Sequence, residues 1–400
     1  MKVWQCCKKG SGDDKEVEEW KLLATIRDDD SGHTRSIRSV AFAPTSISYD
    51  VVPILATASF DGKVLIWEYC NDDDDDDDDA MQEKNQDTDT EHHDNIISSN
   101  NSVTNNDQSG YFDPIAQLEG HDNEIKDLAW NTTGSLLASC GRDKTIWIWE
   151  CFLPGTIGGV EPSSNGMAVD EGESFECLAV LQGHDGDVKS IAFGPSHNQW
   201  GEGEEILISA SYDDTIKVWA EEAGDWYCAM TLGENNVPRS IVHTSTVWCV
   251  GFAPGGVRFF SGSDDGSMAI WKLYTATERK KLFPNEQVVS PTDGLWKCVG
   301  RLPDSHSSYA VLSIDCAPTR AGHGRIASAG GDNSINIYRE ESVVASGSNG
   351  TSDAPKFSLE DVAVDAHDGD VNCIKWHPRD GRCLVSCGDD GAVKLWRYIR

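Results

Sequence analysis

The chain has 400 residues, 38% of them hydrophobic and 25% charged, with 33 Lys and Arg against 67 Asp and Glu for a net charge of −34. That supplies enough apolar material for a core along most of the chain, while so acidic a surface repels phosphate backbones and anionic headgroups and argues against direct nucleic-acid or membrane binding. No apolar run reaches the roughly 18 residues a membrane span needs, and Met1-Lys2-Val3-Trp4 leads into Cys and Lys rather than a secretory segment, so an intracellular protein is expected. Its thirteen cysteines then read as thiols, most of them small buried hydrophobes such as Cys249 and Cys373.

In chain order, MKVW at the N-terminus matches IKVW at Ile216 to Trp219, so the chain is expected to open inside a repeat unit, and a strand is expected near Trp20 to Ile26. Six units come next, ending in SFDGKVLIW at Trp67, GRDKTIWIW at Trp149, SYDDTIKVW at Trp219, SDDGSMAIW at Trp271, GGDNSINIY at Tyr338 and GDDGAVKLW at Trp396. In every unit an Asp stands six residues before the aromatic: Asp61, Asp143, Asp213, Asp265, Asp332 and Asp390. A His lies upstream each time, at His33, His121, His184, His243, His306 and His367. Between His and Asp the sequence predicts two strands, such as IKDLAWN then LLASC, and before each His another, such as FECLAVLQG, so each unit has four strands.

Four inserts lengthen the units. The segment 71–110 holds Asp72 to Asp79 and 14 acidic residues against one Lys, with almost no aromatics, and is expected to be a disordered solvated loop. Segments 153–174, 275–293 and 341–355 are expected to be shorter loops.

This pattern resembles the WD repeat, which implies an all-β propeller of four-stranded blades in one domain spanning 1–400. The MKVW match favours seven blades with an incomplete first; the alternative is a six-bladed ring in which the Trp20–Ile26 strand pairs with the C-terminal blade. The resemblance implies that His, a hydroxyl residue, Asp and Trp form a buried hydrogen-bonded set in each blade. A group such as His184, Ser211 and Asp213 looks like a catalytic triad, but a motif present in six copies is architecture, so no enzyme activity is expected. No Gly-rich phosphate loop, HExxH or CxxC occurs, Cys383 and Cys387 are expected too far apart along one strand to share a ligand, and Cys6-Cys7 lacks a third ligand nearby. Neither cofactor nor metal is expected.

Two positions per unit are expected on one rim of the channel. The residue before the turn Asp gives Phe60, Arg142, Tyr212, Asp264, Gly331 and Asp389; the second residue of the strand after His gives Arg38, Lys126, Lys189, Trp248, Leu312 and Asn372. Arg38, Lys126, Arg142 and Lys189 with Phe60, Tyr212 and Trp248 form a basic and aromatic arc suited to a peptide carrying a carboxylate and an aromatic ring. The competing expectation is that acids in neighbouring loops pair with these cations.

The strings GHDNEIKDLAW, CGRDKTIWIWE, LQGHDGDVKSIAF, SYDDTIKVW and HTSTVWCVGF are similar to the WD-repeat subunit family of the cytosolic iron-sulfur protein assembly targeting complex. The resemblance implies a non-catalytic cytosolic scaffold, with a nuclear pool left open. It would join a HEAT-repeat subunit and a small acidic-domain subunit and present client apoproteins for [4Fe-4S] insertion. It also implies that the family's functional surface arginine corresponds to Arg142, and that clients dock through C-terminal tails ending in an acidic then an aromatic residue. The poly-Asp insert and Cys6-Cys7 depart from the family pattern. The rival expectations are a chromatin or histone-tail reader, suggested by the acidic insert, and a ubiquitin-ligase-type adaptor.

Overall fold

The computed structural model describes residues 1–10, 16–26, 32–44, 52–70, 110–152, 175–194, 205–233, 243–290, 293–302, 306–318, 324–341 and 355–398. Residues 71–109, the insert 153–174 and residues 342–354 lie outside them, as do the Cys6 and Cys7 side chains.

Among the described residues, alternating and fully apolar strand sequences form seven antiparallel sheets. The N-terminal sheet has two strands, β1 (Lys2–Gly10) and β2 (Glu16–Thr25). Five four-stranded sheets follow: β3 (Ile37–Phe42), β4 (Ile54–Ser59), β5 (Lys63–Cys70) and β6 (Tyr111–Glu119); β7 (Ile125–Trp130), β8 (Leu136–Gly141), β9 (Ile146–Cys151) and β10 (Phe175–Leu181); β11 (Val188–Phe193), β12 (Ile206–Ser211), β13 (Ile216–Glu222) and β14 (Asp225–Leu232); β15 (Val247–Phe252), β16 (Arg258–Ser263), β17 (Met268–Tyr274) and, after helix α1 (Ala276–Leu282), β18 (Leu295–Arg301); and β19 (Val311–Cys316), β20 (Arg325–Gly330), β21 (Ile335–Glu340) and β22 (Phe357–Ala363). The last sheet has three strands, β23 (Val371–Trp376), β24 (Cys383–Gly388) and β25 (Val393–Arg397).

Successive inner strands β3, β7, β11, β15, β19 and β23 adjoin one another, which turns the row of sheets into a β-propeller. Six sheets carry the His-to-aromatic motif, and the N-terminal hairpin adds the seventh. The Trp20–Ile26 strand pairs with β1 along its length rather than with the C-terminal sheet, so the pairing required by the six-bladed alternative is not formed among the described residues. Val3, Ala24 and Ile26 of the hairpin pack on Leu55, Leu65, Trp67 and Phe112 of the next sheet. Among the described residues the hairpin sets no inner strand against β3, and Val40 of β3 is 53% exposed, whereas its counterparts Leu128, Ile191, Val250, Ile314 and Ile374 are at most 6% exposed.

Elsewhere the core lies between sheets. Trp219 of β13 joins Leu181, Val188, Ile191 and Leu207, and Trp149 of β9 joins Leu118, Ile125 and Leu128. The segment 275–293 departs from the loop expected of it, because its first turn is capped. The Thr275 side chain accepts from the Glu278 N–H, and Glu278 in return accepts from the Thr275 N–H.

Candidate functional site

Each unit first builds a turn. The residue after the turn Asp takes a positive φ, at Gly62 (83°), Lys144 (70°), Asp214 (66°), Gly266 (76°), Asn333 (61°) and Gly391 (71°), which folds the backbone N–H groups back onto the Asp carboxylate. In the second unit Thr145 N–H and Asp122 N–H both donate to Asp143, and in the third Thr215 N–H and Asp185 N–H donate to Asp213.

The buried His completes the set. His184 Nδ1 lies 2.8 Å from Asp213 Oδ2 and its Nε2 lies 2.7 Å from Ser209 Oγ, while Trp219 Nε1–H donates to the same hydroxyl at 2.9 Å. The donors run in one direction, from indole N–H to hydroxyl, hydroxyl to imidazole and imidazole to carboxylate, which assigns the Nδ1–H tautomer. His121 with Asp143, Ser139 and Trp149 repeats this, as do His33 with Asp61, Thr57 and Trp67, His243 with Asp265, Ser261 and Trp271, and His367 with Asp390, Ser386 and Trp396. In the fifth unit His306 meets Asp332 and Ser328, and the Tyr338 hydroxyl instead accepts from Asn336. The hydroxyl partner in the third unit is Ser209, not Ser211. Ser211 donates to Gly186 O and accepts from the Asp213 N–H, so it serves the turn.

Burial raises the Asp61, Asp143, Asp213, Asp265 and Asp332 carboxyls, but hydrogen bonds from His and from turn N–H and hydroxyl groups outweigh it and hold all five below their ordinary value. Asp390 is held low chiefly by His367. A carboxyl lowered on folding stabilises fully above its unfolded value near pH 4 and loses that contribution as pH falls through the folded value. Glu205, Asp214 and Asp315, pushed up by burial, act in the opposite sense but are outnumbered. The melting temperature is therefore expected to fall steeply between about pH 4 and pH 2, and a fluorimetric pH series checks it; an unchanged melting temperature would remove these carboxylates from the account of stability.

The rim is placed by one backbone bond per unit. The N–H of the residue before the turn Asp donates to a carbonyl just ahead of the inner strand: Phe60 to Ser36, Arg142 to Glu124, Tyr212 to Asp187, Asp264 to Thr246, Gly331 to Ala310 and Asp389 to Asp370, at 2.8–3.0 Å. Both expected sets of positions therefore meet at the same edge. Phe60, Lys126 and Arg142 gather around Glu124, which accepts from Lys126 Nζ at 2.7 Å and Arg35 Nη2 at 2.8 Å and lies 3.7 Å from Arg142 Nη1. The Lys126 and Arg35 hydrogen bonds lower Glu124 to about 2. Lys126 Nζ sits 4.2 Å from the Phe60 ring centre.

A second cluster holds Lys189, Tyr212 and Trp248. Lys189 Nζ is 2.9 Å from Asp187 and stands 5.5 Å and 5.1 Å from the Tyr212 and Trp248 rings. Trp248 Nε1–H donates to Asp264 at 3.4 Å, and Asn372 donates to Asp389. The sequence reading passed over Arg35, Glu124 and Asp187. Glu124 and Asp187 each stand two residues before the rim lysine, just ahead of the inner strand, and that spacing is the signal the sequence offers. They neutralise Lys126 and Lys189, so the arc is less basic than its composition suggests. Arg142 and Arg35, their side chains 55% and 54% exposed, are the open cations of the Glu124 cluster, and no carboxylate lies within ion-pair distance of Arg38 among the described residues.

Among the described residues no group of three or more His, Cys, Asp or Glu is arranged to hold a metal, and no helix is long and apolar enough to cross a membrane. Repeated antiparallel sheets, four-stranded in all but the last unit and each fastened by a buried His with a hydroxyl and an Asp, define a WD-repeat β-propeller. The family model "WD domain, G-beta repeat" matches residues 20–68, 112–150, 175–220, 236–272 and 360–397. Over nearly the whole chain, proteins named "Probable cytosolic iron-sulfur protein assembly protein 1" are similar to it. That of Botryotinia fuckeliana is 32% identical over 92% of this chain and 85% of its own. Those of Debaryomyces hansenii and Candida albicans are each 33% identical over 95% of this chain and 88% of theirs. The chain belongs to this cytosolic iron-sulfur protein assembly family of WD-repeat proteins.

Proposed function

We propose that this protein is a non-catalytic scaffold in cytosolic iron-sulfur protein assembly. It docks a HEAT-repeat subunit and a small acidic-domain subunit and presents client apoproteins for [4Fe-4S] insertion, the cluster being cargo rather than a resident group. The observation that carries the reading, beyond family membership, is the rim. An open guanidinium at Arg142 stands beside Lys126 over Phe60, and Lys189 lies between Tyr212 and Trp248. This surface suits a peptide end bearing a carboxylate and an aromatic ring, with Arg142 taking the carboxylate and Tyr212, 61% exposed, available to stack. The six His-hydroxyl-Asp sets favour a structural role, because each hydroxyl already accepts an indole N–H or is buried against its His.

The test is affinity purification from cytosol with tagged wild type and Arg142→Glu. Wild type is expected to retain both partner subunits and iron-sulfur client enzymes, and the variant to keep the subunits and lose the clients. Charge reversal removes about 1.5–3 kcal/mol of charge-assisted bonding, more than tenfold in client affinity. The variant should melt with wild type, whereas Asp143→Ala should melt lower. Recovery of histones or ligase subunits in both samples, with no iron-sulfur enzymes, would replace this reading with one of its rivals.

A further inference from the structure

Beneath the rim, the last sheet carries a pair of thiols that the docking function does not use. Cys373 of β23 and Cys387 of β24 are directly opposed across an antiparallel ladder. Directly opposed residues on such a ladder have Cα atoms about 4.5–5.5 Å apart and side chains on one face, inside the window of roughly 4.4–6.8 Å that a disulfide accepts. Both residues are half-buried, so neither side chain is sealed in the core.

The other units do not repeat this pairing. At the position of Cys373 they carry Ser39, Asp127, Ser190, Cys249 and Ser313, and at that of Cys387 they carry Ala58, Cys140, Ala210, Gly262 and Ala329. Cys140 thus faces Asp127 and Cys249 faces Gly262, each without a thiol partner in its ladder. A repeated position is architecture; a dithiol present in one unit is not needed to build it.

The electrostatics also single out Cys373. Burial pushes Cys140, Cys249, Cys298 and Cys316 up, toward the inert thiol. Cys373 is instead held below the ordinary thiol value, first by the neighbouring Cys387 thiol and then, against burial, by the Lys375 ammonium. Lys375 stands two residues along the same face and 3.7 Å from Asp315, and Arg38 of β3 adds positive charge beside Cys387.

We propose that Cys373 and Cys387 form a modification site, a dithiol that hydroperoxides convert to a reversible intrachain disulfide. The Cys373 thiolate attacks the terminal peroxide oxygen, the O–O bond breaks, and the departing alkoxide or hydroxide takes up the thiol proton. The product at Cys373 is a sulfenic acid. Cys387 sulfur then attacks the Cys373 sulfur, an S–S bond forms, and the hydroxyl leaves as water with the Cys387 proton. In sum two thiols are oxidised to one disulfide, the peroxide is reduced to an alcohol (water from hydrogen peroxide), and the second step releases one water.

The test treats the reduced full-length protein with stoichiometric hydrogen peroxide, blocks remaining thiols with N-ethylmaleimide, and maps tryptic peptides by mass spectrometry. Cleavage after Lys375 and Arg382 separates the two cysteines, and fragment ions distinguish Cys387 from Cys383 on the second peptide. The expected result is a Cys373–Cys387 linked peptide with matched loss of both thiols, restored by dithiothreitol. In Cys387→Ser the link is lost and a dimedone adduct appears on Cys373. Recovery of both residues as maleimide adducts while the exposed Cys177 is oxidised would overturn the proposal, as would a link from Cys373 to any other cysteine or its progression to sulfinic acid in wild type.

Discussion

Trp219→Ala is expected to cost about 3–5 kcal/mol, the range for truncating a large buried aromatic, against a total of roughly 5–15 kcal/mol for a typical domain. Trp219 is 2% exposed and fills the space between the β7–β10 and β11–β14 sheets, against Leu181, Val188, Ile191 and Leu207. Alanine leaves a cavity that two hydrogen-bonded sheets cannot close, and it removes the indole donor to Ser209. Trp219→Phe keeps much of the volume and loses the hydrogen bond, a change of about 1 kcal/mol for the bond itself plus a smaller void. Urea denaturation followed by circular dichroism measures both. Equal losses would mean that the hydrogen bond, not packing between sheets, dominates at this position.

The second large effect is expected at Glu360→Ala, about 3 kcal/mol, the lower end of the range for breaking a buried ion pair because the Glu360 side chain keeps some contact with water. Arg325, 2% exposed, is held by Glu360 through Nε at 2.6 Å and Nη2 at 3.2 Å, and its guanidinium lies 4.5 Å from the Tyr398 ring centre. Removing the carboxylate strands that cation between the sixth and seventh sheets. Replacing both partners with apolar residues, as in Arg325→Met with Glu360→Leu, should cost less than the single change, because no uncompensated charge remains. A double-mutant cycle measures the difference. If the double variant is as unstable as the sum of the singles, the pair is not coupled and Arg325 is held by packing alone.

The fold was legible because two chemically demanding positions are spaced rigidly in each unit: a carboxylate that accepts turn N–H groups and an aromatic six residues later that reaches a hydroxyl on the neighbouring strand. Tyr338 shows the strength of that register, since the sheet of the fifth unit forms with its His306–Asp332 pair although the aromatic differs and the five matched family segments pass over it. The hydroxyl partner was harder to assign. Ser209 and Ser211 lie on one face of β12, and only the position of His184 separates the residue that bridges to Trp219 from the one that serves the turn. Helix α1 is hidden by the polar composition of its segment, and its one local signal is the capping box Thr275-Ala-Thr-Glu278. At the rim the positions were legible and their charge state was not. A lysine flags itself in sequence, while the Glu or Asp that neutralises it matters only once the strand face is known.

The bond that places the rim uses only main-chain atoms: the N–H of the residue before the turn Asp and a carbonyl ahead of the inner strand. Phe, Arg, Tyr, Asp, Gly and Asp occupy that site in six units with the same bond. The ring thus works as a keyboard with fixed keys and interchangeable letters. Its contact surface can be rewritten one unit at a time, for instance by exchanging Asp264 for arginine to extend the arc, while the buried sets that hold each sheet stay as they are.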